Sequence, residues 1–79
     1  TNKDTDVALG LRLIRTAVET APDESGLQDT LAWALFANSL YNEAIAASEK
    51  ALELAPEGSK EAYRGYLEHL KKRIAEAQE

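Results

Sequence analysis

The segment Ala51-Leu52-Glu53-Leu54-Ala55-Pro56 has a close counterpart earlier in the chain, Ala17-Val18-Glu19-Thr20-Ala21-Pro22. Each segment ends in proline, and these two prolines, which are 34 residues apart, are the only ones in the 79 residues. A proline that follows an apolar helical pattern and precedes turn-forming residues marks the end of a helix. A period of this length is typical of repeats in which one pair of helices stacks on the next.

Apolar residues recur at helical spacing on either side of these stops and predict four helices. The predicted helices run from about Asp6 to Ala21, from Gly26 to Ala37, from Asn42 to Leu54 and from Ser59 almost to the end. Ser25 and Gln28 have the spacing of a capping box, in which each side chain satisfies a free backbone N–H of the other residue. No segment alternates as a strand does, so the sequence predicts one all-α domain.

Composition narrows the function classes. The net charge is −5, from 14 acidic and 9 basic residues, and this acidity argues against nucleic-acid binding, which depends on cationic surface. The absence of Cys excludes disulfides and thiolate metal sites. No apolar run approaches the roughly 20 residues that span a membrane, and the compartment stays open. The chain has no Met, so we expect a processed chain or a piece of a longer or designed repeat array.

The segment over residues 25–58 resembles one complete tetratricopeptide repeat. The resemblance is strongest in Tyr41-Asn42-Glu43-Ala44-Ile45 and in Lys50-Ala51-Leu52-Glu53-Leu54-Ala55-Pro56. It implies that small residues let the two helices approach closely, at Ala32, Ala44 and Ala51, and that larger ones fill the gaps between them, at Leu31, Leu35 and Tyr41. Residues 6–22 resemble the second helix of a preceding repeat, with Gly10 at the small position, and residues 59–79 are interpreted as a capping helix.

Several residues depart from the pattern of that family. Gln28 stands where a large aromatic residue is most common, Ser48 replaces a bulky residue, and Asn38-Ser39-Leu40 replaces a turn that usually contains glycine. In the fourth helix, Gly65 and Tyr66 fall where the pattern has Leu and a small residue.

The second predicted helix contains an unbroken apolar run, Leu31-Ala32-Trp33-Ala34-Leu35-Phe36-Ala37, and is therefore apolar on every face. The resemblance implies a concave groove that binds a short peptide or a helix of a partner protein. The residues that the resemblance places in this groove are Asp29, Trp33, Phe36 and Ala37 on the second helix and Lys60, Tyr63, Arg64, Leu67 and Lys71 on the fourth. Alternatively, the fourth helix or a second subunit covers Trp33 and Phe36 as core.

Nothing in the sequence indicates catalysis. His69 is the only histidine, and we interpret it as a solvent-facing or partly packed helix residue. The acidic residues are spread along helices and do not pair in an apolar cleft. We therefore expect no enzyme activity, no metal and no cofactor.

Two functions of different classes follow. The first is a protein-interaction module whose partner is a protein or peptide, without nucleic-acid or membrane binding. The second is a structural module that forms a homodimer or higher oligomer, or a repeat fragment without a ligand of its own. The candidate oligomer interface is the side of the first helix that lacks a partner helix, with Gly10, Leu13, Ile14 and Ala17.

Overall fold

The computed structural model describes the backbone of residues 3–79 and the side chains of residues 6–79. It contains four α-helices: α1 (Lys3–Thr20), α2 (Ser25–Ala37), α3 (Tyr41–Leu54) and α4 (Lys60–Ala77). A 3-10 turn over Glu57–Ser59 leads into α4. No strand occurs within residues 3–79, so the prediction of an all-α fold is confirmed for this part of the chain.

Small residues fill the contact between α2 and α3. Ala32, Ala44 and Ala51 are each 0% exposed, and the absence of bulky side chains at these positions lets the two helix backbones approach closely. Leu35 on α2 and Ala47 on α3 extend the same core. The central pair of helices is therefore the best-packed part of the fold.

Helix α4 closes this core with one apolar side. Leu67, Leu70 and Ile74 recur at helical spacing and are all buried, and Leu70 is the one large side chain among residues 6–79 that is fully enclosed. Leu70 and Ile74 belong to the same cluster as Ala32 and Leu35 of α2. The burial of one such side chain contributes about 1.5 to 3 kcal/mol, so these three residues hold α4 in place.

Helix α1 packs on α2 less completely. None of its described side chains is fully buried, and Leu11 is the α1 residue that packs against the central cluster. The Asn38 side chain, just after α2, donates a hydrogen bond to the Val7 carbonyl oxygen, with an N–O distance of 3.1 Å. Since so little of α1 is buried, its attachment depends on a few contacts.

The predicted capping box at α2 is wrong. Ser25 is already the first helical residue, and the preceding Glu24 makes no side-chain cap. The Ser25 hydroxyl instead donates to the Tyr63 hydroxyl at 3.3 Å. The buried Gln28 amide donates to the Pro22 carbonyl at 3.1 Å. Both side chains are used for contacts with other segments, so they are not available to cap the helix.

A turn without glycine ends α2. The amide of Ser39 bonds to the Phe36 carbonyl, and the amide of Leu40 bonds to the Leu35 carbonyl, both at 2.9 Å. This pair of bonds is the Schellman motif, which needs a left-handed residue after the helix. Ser39 takes that role with φ 63°, although glycine adopts this conformation with less strain.

The overall shape is flat, with backbone extents of 40 × 34 × 16 Å. The accessible surface is 5219 Å², whereas a compact monomer of this mass exposes about 4700 Å². The excess agrees with a layer of helices that leaves one side of α1 open.

Candidate functional site

Helices α2 and α4 run side by side in the same direction. Ser25 contacts Tyr63 through their hydroxyls, and the Trp33 ring lies 5.6 Å from the His69 ring. Further along, the Arg73 guanidinium lies 5.5 Å from the centre of the Phe36 ring, in the geometry of a cation–π contact. We call this line of contacts the α2–α4 seam.

A row of aromatic rings borders the seam. Trp33 and Phe36 meet edge to face with 5.8 Å between ring centres, and Phe36 is also 5.8 Å from Tyr41. Trp33 and Phe36 are partly buried and pack against the core without belonging to its buried set. Helix α4 thus covers these two side chains in part. The sequence left two alternatives, an open groove or a closed core at these residues, and the structure lies between them.

Beside Trp33, the open strip of α2 consists of small residues. Gly26, Thr30 and Ala37 are all exposed. The Thr30 hydroxyl donates to the Gly26 carbonyl at 3.0 Å, so it is turned back into its own helix. Small side chains let the backbone of a ligand come close to the helix, and the neighbouring Trp33 ring offers apolar area to it.

Asp29 lies in the middle of the seam, one turn after Ser25 and one turn before Trp33. The side chain is partly buried, and its Oδ1 atom is fully buried without a hydrogen-bond partner. Burial raises the pKa of the Asp29 carboxyl above its ordinary value, because desolvation disfavours the charged form. No Lys or Arg nitrogen among the described side chains lies within 4 Å of this carboxylate.

The groove residues predicted on α4 are only partly brought to the seam. The Lys60 ammonium donates to the Leu52 and Glu53 carbonyls at 2.9 and 3.0 Å, at the end of α3. Arg64 and Lys71 follow Lys60 at helical spacing and share its flank of the helix. These three residues therefore do not line the seam, contrary to expectation.

Helix α4 turns its apolar side into the core, and this orientation explains why Lys60, Arg64 and Lys71 lie away from the seam. Leu67, predicted in the groove, is 7% exposed and buried in that core, and Tyr63 is partly buried beside it. The flank that faces Trp33 and Phe36 instead carries His69 and Arg73. The spacing of Leu67, Leu70 and Ile74 was the signal that could have predicted this orientation.

Only part of the candidate oligomer interface on α1 is exposed. Gly10 is exposed and Leu13 is 64% exposed, whereas Ile14 and Ala17 are partly buried. Leu9, one turn before Leu13, is 48% exposed and was not predicted. The Thr16 and Thr20 hydroxyls donate to carbonyls of their own helix, at 3.1 and 3.2 Å. The open side of α1 is therefore less polar than its sequence suggests.

A cleft between α1 and α3 was not predicted either. Its volume is about 320 Å³, its floor includes Leu31 and Leu35, and Arg15, Glu43 and Lys50 stand around it. Gln28 lines the same cleft, at the position where the tetratricopeptide pattern most often has a large aromatic residue. The smaller side chain gives a physical reason for the open space, and the charges of both signs around it favour no single ligand.

The described residues offer no arrangement for metal chemistry. Within this part of the chain, no three side chains of His, Asp or Glu come together as ligands. His69 is exposed and lies against Trp33, as expected for a partly packed helix residue.

No helix in the described part of the chain combines the length and the apolar character needed to cross a bilayer.

Neither the protein-family models nor the curated proteins nor the solved structures give a significant match to the chain.

Proposed function

We propose that the chain is a tetratricopeptide-like domain, with one complete repeat over residues 25–58, the second helix of a preceding repeat and a capping helix. The support comes from α2 and α3. The three small residues that the resemblance puts between paired helices, Ala32, Ala44 and Ala51, are each completely enclosed. Gln28 and Ser48, which replace bulky residues of the pattern, are buried too, so the departures lie at interior positions.

The function that the geometry supports best is binding of a peptide segment or helix of a partner protein along α2, without catalysis. The observation that carries this proposal is the state of Trp33 and Phe36, which are fixed by neighbouring rings yet remain partly exposed. Rigid, partly exposed aromatic side chains are favoured anchors at protein interfaces. The small residues beside them, Gly26, Thr30 and Ala37, leave room for a ligand.

Peptide selection tests this function. A randomised peptide library is panned on the immobilised domain, and the dissociation constants of enriched peptides are measured for wild type and for Trp33→Ala. We expect Trp33→Ala to abolish binding, whereas Leu13→Ala, which removes an exposed apolar side chain of α1, should bind as wild type does. Failure to enrich any peptide, or equal binding by Trp33→Ala, would contradict the proposal.

The stability of the same variants shows whether a loss of binding is specific. Complete removal of a buried large side chain costs about 3 to 5 kcal/mol, and Trp33 is only partly buried, so we expect a loss of about half that for Trp33→Ala. Leu35→Ala, inside the core, should lose more than Trp33→Ala. Unfolding of the Trp33→Ala variant would mean that this residue is core and would remove the main support for the groove.

A second candidate function, self-assembly, is favoured by the open side of α1. Leu9 and Leu13 are one turn apart and are 48% and 64% exposed, and exposed apolar stripes of this kind mark association sites. We therefore propose a homodimer through α1 as the alternative role.

Sedimentation equilibrium distinguishes self-assembly through α1 from peptide binding by a monomer. If α1 mediates association, Leu13→Glu should shift the dimer to a monomer, and Ala8→Glu, which adds the same charge on another exposed side of α1, should not. A wild-type protein that stays monomeric at high micromolar concentration would contradict self-assembly and leave the peptide-binding role in place.

A further inference from the structure

The open side of α1 carries a narrow, weakly polar stripe. Leu9 and Leu13 are 48% and 64% exposed, and the exposed Thr16 and Thr20 continue the same line. An α-helix turns by about 100° per residue, so these four side chains lie within roughly 60° of arc. Both threonine hydroxyls donate to carbonyls of α1 itself. Steps that alternate between four and three residues are typical of the contact line between two paired helices.

The two flanks of this stripe differ. On one flank lie Arg12 and Glu19, which are both exposed. Side chains interact within a helix when they are three or four residues apart, whereas these two are separated by about 10 Å along the axis. On the other flank lie the small residues Gly10 and Ala17. The charges of Arg12 and Glu19 are therefore placed to pair with another helix and not with each other.

An antiparallel second copy of α1 provides that pairing. With Leu13 of one copy opposite Thr16 of the other, a two-fold axis brings each flank against the same flank of the second copy. Arg12 of one copy then lies about 3 Å along the axis from Glu19 of the other. Side chains tilt toward the N-terminus of their own helix, so in antiparallel helices these two tilt toward each other. The symmetry forms the ion pair twice.

A parallel second copy does not match. In parallel helices the charged flank of one copy faces the small flank of the other, so neither Arg12 nor Glu19 meets an opposite charge. In the antiparallel pair, Gly10 of one copy faces Ala17 of the other, and these small residues let the backbones approach closely. Although the chain carries a net charge of −5, α1 has as many basic as acidic residues. Two copies of this helix therefore do not repel each other.

We propose that two copies of the chain pair through antiparallel α1 helices, held together by the apolar stripe and by two reciprocal Arg12–Glu19 ion pairs. This inference rests on the self-assembly role proposed for α1 and names the partner and its orientation. The stripe lies opposite Leu11, which packs against the central cluster, so the pairing leaves the α2–α4 seam free. One helix from each copy makes an interface smaller than the roughly 1,600 Å² of a standard complex, and we expect a micromolar dissociation constant.

Charge reversal tests the pairing by sedimentation equilibrium. Arg12→Glu and Glu19→Arg each convert two attractive pairs into two repulsive ones, so each should raise the dimer dissociation constant about tenfold. The double variant Arg12→Glu/Glu19→Arg restores both pairs and should return to within about threefold of wild type. Arg15→Glu is the control, because it makes the same change of net charge at an exposed residue beside the cleft between α1 and α3. It should leave the dissociation constant unchanged.

Recovery in the double variant is the decisive result, since this variant has the net charge of wild type. If wild type dimerises but the single reversals have no effect, or if the double variant does not recover, the antiparallel pairing is overturned while self-assembly stands. A wild-type protein that stays monomeric at high micromolar concentration would overturn both.

Disulfide cross-linking tests the direction of the helices independently. The chain has no Cys, so an introduced thiol has no competitor. In the antiparallel pair, Leu9 of one copy lies level with Thr20 of the other, whereas the two copies of either residue are about 16 Å apart along the axis, beyond the reach of a disulfide. Oxidation of a mixture of Leu9→Cys and Thr20→Cys should link one variant to the other and neither variant to itself. Linkage of either variant to itself would indicate parallel helices and overturn the inference.

Discussion

The side-chain amide of Asn38 donates to the main-chain carbonyl of Val7, 31 residues earlier, with an N–O distance of 3.1 Å. The same nitrogen also donates to the Ala34 carbonyl at 2.8 Å. One side chain therefore ties the end of α2 to the first half of α1, which has no fully buried side chain of its own among the described residues.

Substitution of Asn38 should allow α1 to unfold locally before the rest of the domain unfolds. For Asn38→Ala we expect a loss of about 1 to 2 kcal/mol, because two hydrogen bonds are removed. Amide hydrogen exchange should show α1 losing more protection than α3. Asn42→Ala, an exposed position at the start of α3, is the control. An equal loss of protection in all helices would show that α1 does not open separately.

The turn after α2 offers a stabilising substitution. Ser39 has φ 63°. This left-handed conformation costs a residue with a Cβ atom about 1 kcal/mol relative to glycine. Ser39→Gly should therefore raise the free energy of unfolding by a similar amount, and Ser39→Ala should give no gain. Urea denaturation measures both differences. A glycine variant less stable than wild type would mean that the Ser39 conformation carries no strain.

Lys60 should affect stability and leave binding unchanged. Its ammonium bonds to two carbonyls at the end of α3, where a cation also complements the helix dipole. Lys60→Met should lose about 1 kcal/mol, and Lys71→Met, an exposed position, should stay within about 0.5 kcal/mol of wild type. Peptide affinity should be the same in both variants. Weaker peptide binding by Lys60→Met would contradict this prediction and would indicate that Lys60 lines the groove, as the tetratricopeptide resemblance implied.

Asp29 should make stability depend on pH in a defined direction. Burial raises the pKa of its carboxyl in the folded protein, so the folded state holds the proton more tightly than the unfolded state. Relative to the ionised carboxyl, protonated Asp29 stabilises the folded state. This stabilisation is fully present below the unfolded pKa and is lost as pH rises through the folded pKa. At neutral pH, Asp29→Asn should therefore be more stable than wild type, and the difference should shrink on acidification. Thermal melts across pH measure it, and a difference that grows toward acid would contradict the raised pKa.

Local sequence rules predicted the helices because Pro22 and Pro56 interrupt strongly apolar patterns. The helix α3 was predicted from about Asn42 to Leu54 and spans Tyr41–Leu54. The capping box failed because the Ser25 hydroxyl bonds to Tyr63 of α4 and the Gln28 amide bonds to the Pro22 carbonyl, in the turn before α2. The position of Tyr63 depends on how the helices pack, and a local motif cannot anticipate competition from such a partner.

The candidate site was predicted unevenly for a related reason. Asp29, Trp33 and Phe36 lie along the seam, as their spacing on one helix indicates. The partner residues on α4 depend on the rotation of that helix about its axis, which burial of Leu67, Leu70 and Ile74 determines. Carrying positions over from a repeat pattern assigned Lys60 to the groove, whereas the actual neighbours of Trp33 and Phe36 are His69 and Arg73.

The most direct test of peptide binding at the α2–α4 seam is a nuclear magnetic resonance titration of the isotope-labelled domain with a library-selected peptide. If the seam is the binding site, the indole N–H of Trp33 and the amides of Asp29 and Thr30 should show the largest shifts. Shifts centred on Arg15, Leu31 and Lys50 would place the ligand in the cleft between α1 and α3 and would contradict this account.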